Sequence, residues 1–199
     1  MPKTSEAAKE TRREQILSAA VRCFARHGYY ATTIEDIVRE TGLSRGALYI
    51  YYPSKESLYL ALSERWSCGV EEAIRQRLTP NLSPKALLRL SVEVIGTHVE
   101  EEADACRVLI EGWILSHHLP GLRRPIREQF ERAKQRFQWL LTAGVAQGEF
   151  RANLAVETQA GLILATLQGL MVRWHLYPGS VDWRQVAEEI IRGIEWRAA

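Results

Sequence analysis

Residues 33–58 read Thr33-Ile34-Glu35-Asp36-Ile37-Val38-Arg39-Glu40-Thr41-Gly42-Leu43-Ser44-Arg45-Gly46-Ala47-Leu48-Tyr49-Ile50-Tyr51-Tyr52-Pro53-Ser54-Lys55-Glu56-Ser57-Leu58. Thr33 is placed to cap a helix whose electropositive first turn holds Glu35 and Asp36. Ile34, Ile37 and Val38 form its apolar face, and Thr41-Gly42-Leu43 is a tight break. Ser44 caps a second short helix running to about Tyr52, Pro53 stops it, and Ser54 caps a longer helix beginning at Lys55. Two short helices joined by a glycine-containing turn make a helix-turn-helix. Ile37, Val38, Leu43 and Leu48 fix the second helix against the first. Ser44, Arg45, Ala47, Tyr49, Ile50 and Tyr51 then project outward.

Outward from this stretch the chain is helical in both directions. Upstream, about residues 7–27 place Ile16, Ala19, Ala20, Cys23 and Phe24 at three- and four-residue steps, and His27-Gly28 ends the run with a glycine suited to a left-handed cap. Downstream, helices are predicted at about 55–78, 84–99, 102–117, 122–147, 155–176 and 182–197. Breaks fall at Thr79-Pro80-Asn81, Leu119-Pro120-Gly121, Gly148 and Pro178-Gly179. Asp182 followed by Gln185 starts the last helix with a capping box. Period-2 alternation and hairpin dipeptides are missing. The fold class is therefore all-α, about nine helices, in two regions, 1–54 and 55–199, joined through one helix.

Bulk composition excludes more than it asserts. Of 199 residues, 46% are hydrophobic and 25% charged, an ordinary mix for a globular protein with a sizeable core. No apolar run reaches the roughly 20 residues that span a bilayer, and the charged start has no secretory apolar core. Cys23, Cys68 and Cys106 are odd in number, far apart and not in metal-ligand spacing, which points to a reducing, cytoplasmic setting. Net charge is only +2. Residues 1–65 hold ten Lys/Arg against eight Asp/Glu, the remainder sixteen of each, so nucleic-acid binding rests on local geometry rather than overall charge. No nucleophile–base pair, phosphate loop or metal motif speaks for an enzyme, and no cofactor is called for.

A major groove admits one helix, and Gly46 and Ala47 let its backbone come close. Arg45 has the fork that recognises guanine bidentately. Thr33, Tyr49, Tyr51 and Lys55 suit phosphates, helped by amides at the starts of two helices. Four of these have a plainer alternative: Tyr49 and Tyr51 as packing aromatics, Arg45 and Lys55 as surface charges.

The run from Thr33 to Leu58 resembles the DNA-binding signature of the TetR/AcrR family, and Phe24-Ala25-Arg26-His27-Gly28-Tyr29 resembles the end of that family's first helix. The likeness covers about residues 10–62 and implies a DNA-binding domain at 1–54 and a ligand-binding and dimerisation domain at 55–199. It implies a homodimer whose two reading helices enter successive major grooves of a palindromic double-stranded operator, with a small-molecule inducer bound in the C-terminal part. It also implies that Thr33, Tyr49, Tyr51 and Lys55 touch the DNA backbone, while Ser44, Arg45, Gly46 and Ala47 lie near base edges. Val38 stands where the family usually has alanine, and Tyr52 where it has phenylalanine.

Residues 66–199 resemble the family in layout only. Leu162, Ala165, Thr166, Gly169 and Leu170 give one helix an apolar face with small residues, and Trp183, Val186, Ile190 and Ile194 a facing stripe; together they suit a four-helix dimer seam, an intramolecular core being the alternative. Ala155 stands where the family has an acidic cap. Candidate pocket residues are Trp66, Val70, His98, Ile110, Glu111, Trp113, His117, Phe137, Met171 and Trp174, whose aromatics suit an apolar or aromatic ligand, with Glu111 favouring a cation. Aromatic stripes at helical spacing are as readily core. The acidic group Glu100, Glu101, Glu102 and Asp104 reads as a solvated loop, and the cysteines as small buried apolar groups.

Overall fold

The structure is a computed structural model and describes residues 6–195. Among them are helices α1 (Glu6–Ala31), α2 (Ile34–Thr41), α3 (Arg45–Tyr51), α4 (Lys55–Gln76), α5 (Pro84–Glu101), α6 (Ala103–Leu115), α7 (Pro120–Ala146), α8 (Val156–Leu176) and α9 (Trp183–Ile194). The described residues form no named strand; a single antiparallel bridge joins Phe150 to Glu195. The all-α reading stands.

Local signals placed most boundaries. Thr33 forms a full capping box with Asp36: the Thr33 hydroxyl accepts the Asp36 N–H at 3.2 Å, and the Asp36 carboxylate accepts the Thr33 N–H at 2.9 Å. Gly42 (φ 68°) ends α2 in the left-handed region, which glycine enters without the Cβ clash other residues meet. The Ser44 hydroxyl accepts the Ala47 N–H at 3.2 Å, and Asp182 accepts the Gln185 N–H at 3.0 Å. Ser54 and Ser57 exchange hydroxyl–amide bonds at 3.1 Å where α4 begins. Ala155 supplies no side-chain cap to α8.

Three expectations need correction. Gly28 (φ 75°, ψ 167°) does not end α1 but kinks it, and another turn follows to Ala31. Pro120 and Gly121 open α7 rather than separating it from α6, because proline's missing N–H costs nothing in a first turn. Glu100 and Glu101 lie in the last turn of α5 and Asp104 in the first of α6, so only Glu102 stands between the helices.

The chain divides into two compact units, residues 1–67 with 104–126 and residues 68–103 with 127–199. In the first, Ile16, Phe24, Tyr29, Ile37, Leu48, Leu58 and Tyr59 are buried. Tyr59 is its pivot: its hydroxyl donates to the Leu109 carbonyl at 3.0 Å and its ring meets Tyr29 edge-on at 6.3 Å. Gly112 of α6 is required there, since a Cβ would collide with the Tyr59 ring.

In the second unit, α5 and α9 pack closely. Trp183 covers Gly96, where a Cβ would strike the indole, and Arg89 forks onto Glu188 at 2.5 and 3.2 Å. Lys85 pairs with Glu195. Phe150 is buried over Gly144, and the chain after α7 is pinned to the end of α9 by the Arg151 N–H donating to the Ile194 carbonyl at 3.1 Å.

Candidate nucleic-acid interface

α3 is seven residues long, too short to persist alone, so its neighbours must hold it. Leu48 is fully buried and Tyr52, just past the helix, is 8% exposed; these anchor one side. Arg45, Gly46, Tyr49 and Ile50 are all exposed, with Gly46 and Ile50 farthest round the helix from Leu48. Ser44 is exposed while Ala47 and Tyr51 are half-buried at the edges. Nothing lies within 4 Å of where a Gly46 Cβ would stand, so the backbone there is open to close approach.

Electrostatics orient that face. The Arg45 guanidinium pairs with Glu35 of α2 at 2.7 Å, lies 3.4 Å from the Tyr49 hydroxyl and sits 5.6 Å from that ring's centroid. The Tyr49 hydrogen bond and the Glu35 charge both push the guanidinium's pKa up; it stays cationic. Thr33, though exposed, spends its hydroxyl on the cap and donates to Asp36 at 2.7 Å. That bond, with the Thr33 N–H, holds the Asp36 carboxyl below the usual carboxylate range.

Lys55 is placed differently from the sequence expectation of a phosphate ligand. Its ammonium donates to the carbonyls of Tyr29 at 2.7 Å, Thr32 at 3.1 Å and Tyr30 at 3.4 Å, and lies 4.3 Å from the Tyr29 ring centroid. Three N–H groups meet three carbonyls just beyond the Gly28 kink. Partial burial lowers its pKa. The lysine thus ties the start of α4 to the end of α1.

Glu111 is likewise committed. Its carboxylate accepts the Tyr29 N–H at 2.9 Å, and the same oxygen stands 3.2 Å from where a Gly28 Cβ would be. The expected cation partner is therefore an anchor of α6 on the α1 kink. Sequence spacing carries no sign of either clamp, since the partners are 82 and 26 positions apart.

The other candidates scatter. Phe137 and Met171 are buried, at 7% and 5% exposure; His117 is exposed, and Trp66, Val70, His98, Ile110, Trp113 and Trp174 are half-buried. The His98 imidazole abuts Gly69, and the Trp174 indole N–H is buried without a hydrogen-bond partner. A groove of about 980 Å³ opens between α1 and the end of α2, lined among others by Glu10, Arg12, Glu14, Arg22 and Glu40. Arg22 and Glu40 are paired there at 2.6 Å; its lining includes no aromatic side chain and none of the candidate pocket residues. Cys23 and Cys106 are buried, and burial pushes Cys106 up to about 12, whereas Cys68 is exposed, against expectation.

On α8, Leu162 is 56% exposed, with Ala165, Thr166 and Gly169 exposed and Leu170 half-buried along the same helix. Val186 and Ile190 of α9 are half-buried. Trp183 and Ile194, expected in the same stripe, instead point into the chain's own core at 6% and 0% exposure. The outer face of α9 runs through Gln185, Val186, Glu189, Ile190 and Gly193, one helical step round from Trp183.

Comparison with known proteins accords with this geometry. Residues 16–62 match the family of bacterial regulatory proteins, tetR family, and residues 84–194 match the C-terminal region of BetI-type transcriptional repressors. The probable HTH-type transcriptional regulator ArpR of Pseudomonas putida is 30% identical over 187 residues, 90% of this chain and 87% of that one. Among solved structures, a regulator from Saccharomonospora viridis in complex with choline has a TM-score of 0.79 at 24% identity, covering 94% of this chain and 100% of that chain. The regulator FadR of Bacillus subtilis in complex with stearoyl-CoA has 0.76 at 20% identity, covering 90% and 95%. The helix-turn-helix with its outward α3 and the match of both regions make the chain a member of the tetR family, a DNA-binding transcriptional regulator rather than an enzyme, with a BetI-type C-terminal region.

Proposed function

We propose that the chain is a cytoplasmic repressor that binds a palindromic operator as a homodimer and leaves it when a small apolar or aromatic molecule binds its C-terminal region. The observation that carries this reading is the outward face of α3, an oriented guanidinium beside an open glycine on a helix anchored by Leu48. Arg45 takes a guanine edge, Ser44, Gly46 and Ala47 admit the helix to the groove, and Thr33, Tyr49 and Tyr51 meet phosphates. Lys55 supports the fit by fixing α4 to α1. Residues 1–54 read DNA, and residues 55–199 sense ligand and dimerise.

The dimer seam is the part of the sequence expectation that is exposed or half-buried: Leu162, Ala165, Thr166, Gly169 and Leu170 on α8 with Val186 and Ile190 on α9. Small residues there allow close helix approach, and Leu162 leaves apolar area to bury. Ligand binding would alter the separation of two reading heads from the groove repeat of about 34–36 Å. That solved relatives hold stearoyl-CoA and choline supports a ligand with an apolar or cationic body.

Operator titrations at fixed salt test both halves. Arg45→Ala should lose about 10- to 100-fold in affinity and relax base preference, and Tyr51→Ala should weaken all sequences alike. A screen of apolar and aromatic compounds should find one that lowers operator affinity at least tenfold. Salt-insensitive binding unchanged by either substitution would overturn the regulator's proposed mode of contact.

A further inference from the structure

Ile50 has the greatest exposure among the large apolar side chains identified as exposed, 81%, and no packing role in the fold explains it. The buried contacts around α3 are made by Leu48 and Tyr52; Ile50 is exposed and lies about 160° round the helix from Leu48, towards Gly46. A bare isoleucine on a short presented helix that also carries a charged fork is an unusual surface. It combines a stiff, β-branched apolar knob, which loses little freedom on contact, with a donor pair already oriented by Glu35 at 2.7 Å.

In the major groove the one apolar feature a base pair presents is the thymine 5-methyl group, and guanine alone offers the O6/N7 acceptor pair that an arginine spans. We infer that Ile50 reads a thymine methyl in each half-site, as the apolar partner of Arg45. Residues 45 and 50 are about 7.5 Å apart along the helix axis and about 140° apart around it, so the two side chains address different base pairs of one half-site. The inference deepens the proposed function and rests on α3 entering the major groove.

The test isolates one methyl group. Duplexes selected from a random pool by the full-length protein give the half-site, and each thymine in turn is replaced by deoxyuridine, which removes the methyl and nothing else. At one thymine of the half-site, wild-type affinity should fall about fourfold per half-site, the worth of one buried methyl. Ile50→Ala should bind both duplexes equally, while Ile50→Val, which keeps branched methyls, should retain most of the difference. Equal urea midpoints for the three proteins check that the exposed substitution leaves the fold alone. A uracil penalty that persists in Ile50→Ala, or none at any thymine, overturns the assignment while leaving operator recognition intact. Selection of no sequence by the wild-type protein would instead remove the groove-binding reading beneath it.

Discussion

The short helices of one compact unit and the long helices of the other are ordered by different means, although both units also seat an aromatic ring on a glycine, Tyr59 on Gly112 and Trp183 on Gly96. In the unit that carries α1 to α3, two of the helices have eight and seven residues, and their order comes from caps at Thr33 and Ser44, the Gly42 turn and the carbonyl clamp of Lys55. In the other, α5, α8 and α9 span 12 to 21 residues, and order comes from interlocked volume, with Trp183 over Gly96 and Phe150 over Gly144. Polar clamps fix direction, because hydrogen bonds weaken steeply off-line. Packed rings fix position, because interiors are as dense as crystals. Under the proposed function the first unit is the reading head, which needs its side chains aimed, and the second meets ligand and partner, which needs helix faces held at fixed spacing.

The largest expected effect falls in the packed unit. Trp183→Ala should cost about 3–5 kcal/mol of unfolding free energy, read in urea melts. Leu162→Arg, on the exposed face of α8, should leave that quantity within ~0.5 kcal/mol at the monomer level and shift sedimentation toward monomer. A stable Trp183→Ala protein or a destabilised Leu162→Arg monomer would break the division between inward and outward faces.

Next comes the clamp. Lys55→Met leaves three carbonyls short of a donor and should cost about 1–3 kcal/mol, with the salt slope of operator binding unchanged. A slope reduced by about one, with no loss of stability, would return Lys55 to the phosphate role read from the sequence. Thr33→Ala removes the cap hydroxyl and should cost about 1 kcal/mol, seen as a lower thermal midpoint.

The smallest effect concerns pH. The folded carboxyl of Asp36 titrates below its unfolded value, so its contribution is present above the ordinary aspartate range near ~3.9 and fades as pH falls through the folded value. Wild-type protein should therefore exceed Asp36→Asn in stability at neutral pH, with the gap closing on acidification. A gap that stays constant to pH ~2 would mean that charge plays no part in the cap.

Residue by residue, legibility followed distance along the chain. Thr33, Gly42, Ser44, Ser54 and Asp182 were readable because a cap or a left-handed turn is settled within four residues. The Gly28 signal was seen, yet the kink continues α1 rather than ending it, since Lys55 and Glu111 supply partners that a local rule does not contain. Trp183 and Ile194 share the last helix with Val186 and Ile190, and helical periodicity alone does not say which of two apolar stripes turns inward.

By itself, the sequence determined the helices, their caps, the helix-turn-helix and the family, because each depends on short-range geometry or on a motif of fixed spacing. Tertiary structure alone decided that Lys55 holds carbonyls, that Glu111 holds the Tyr29 amide, and that Gly96 and Gly112 are niches for aromatic rings. These are facts about which distant atoms meet, and a one-dimensional pattern of hydrophobicity does not encode the meeting partner.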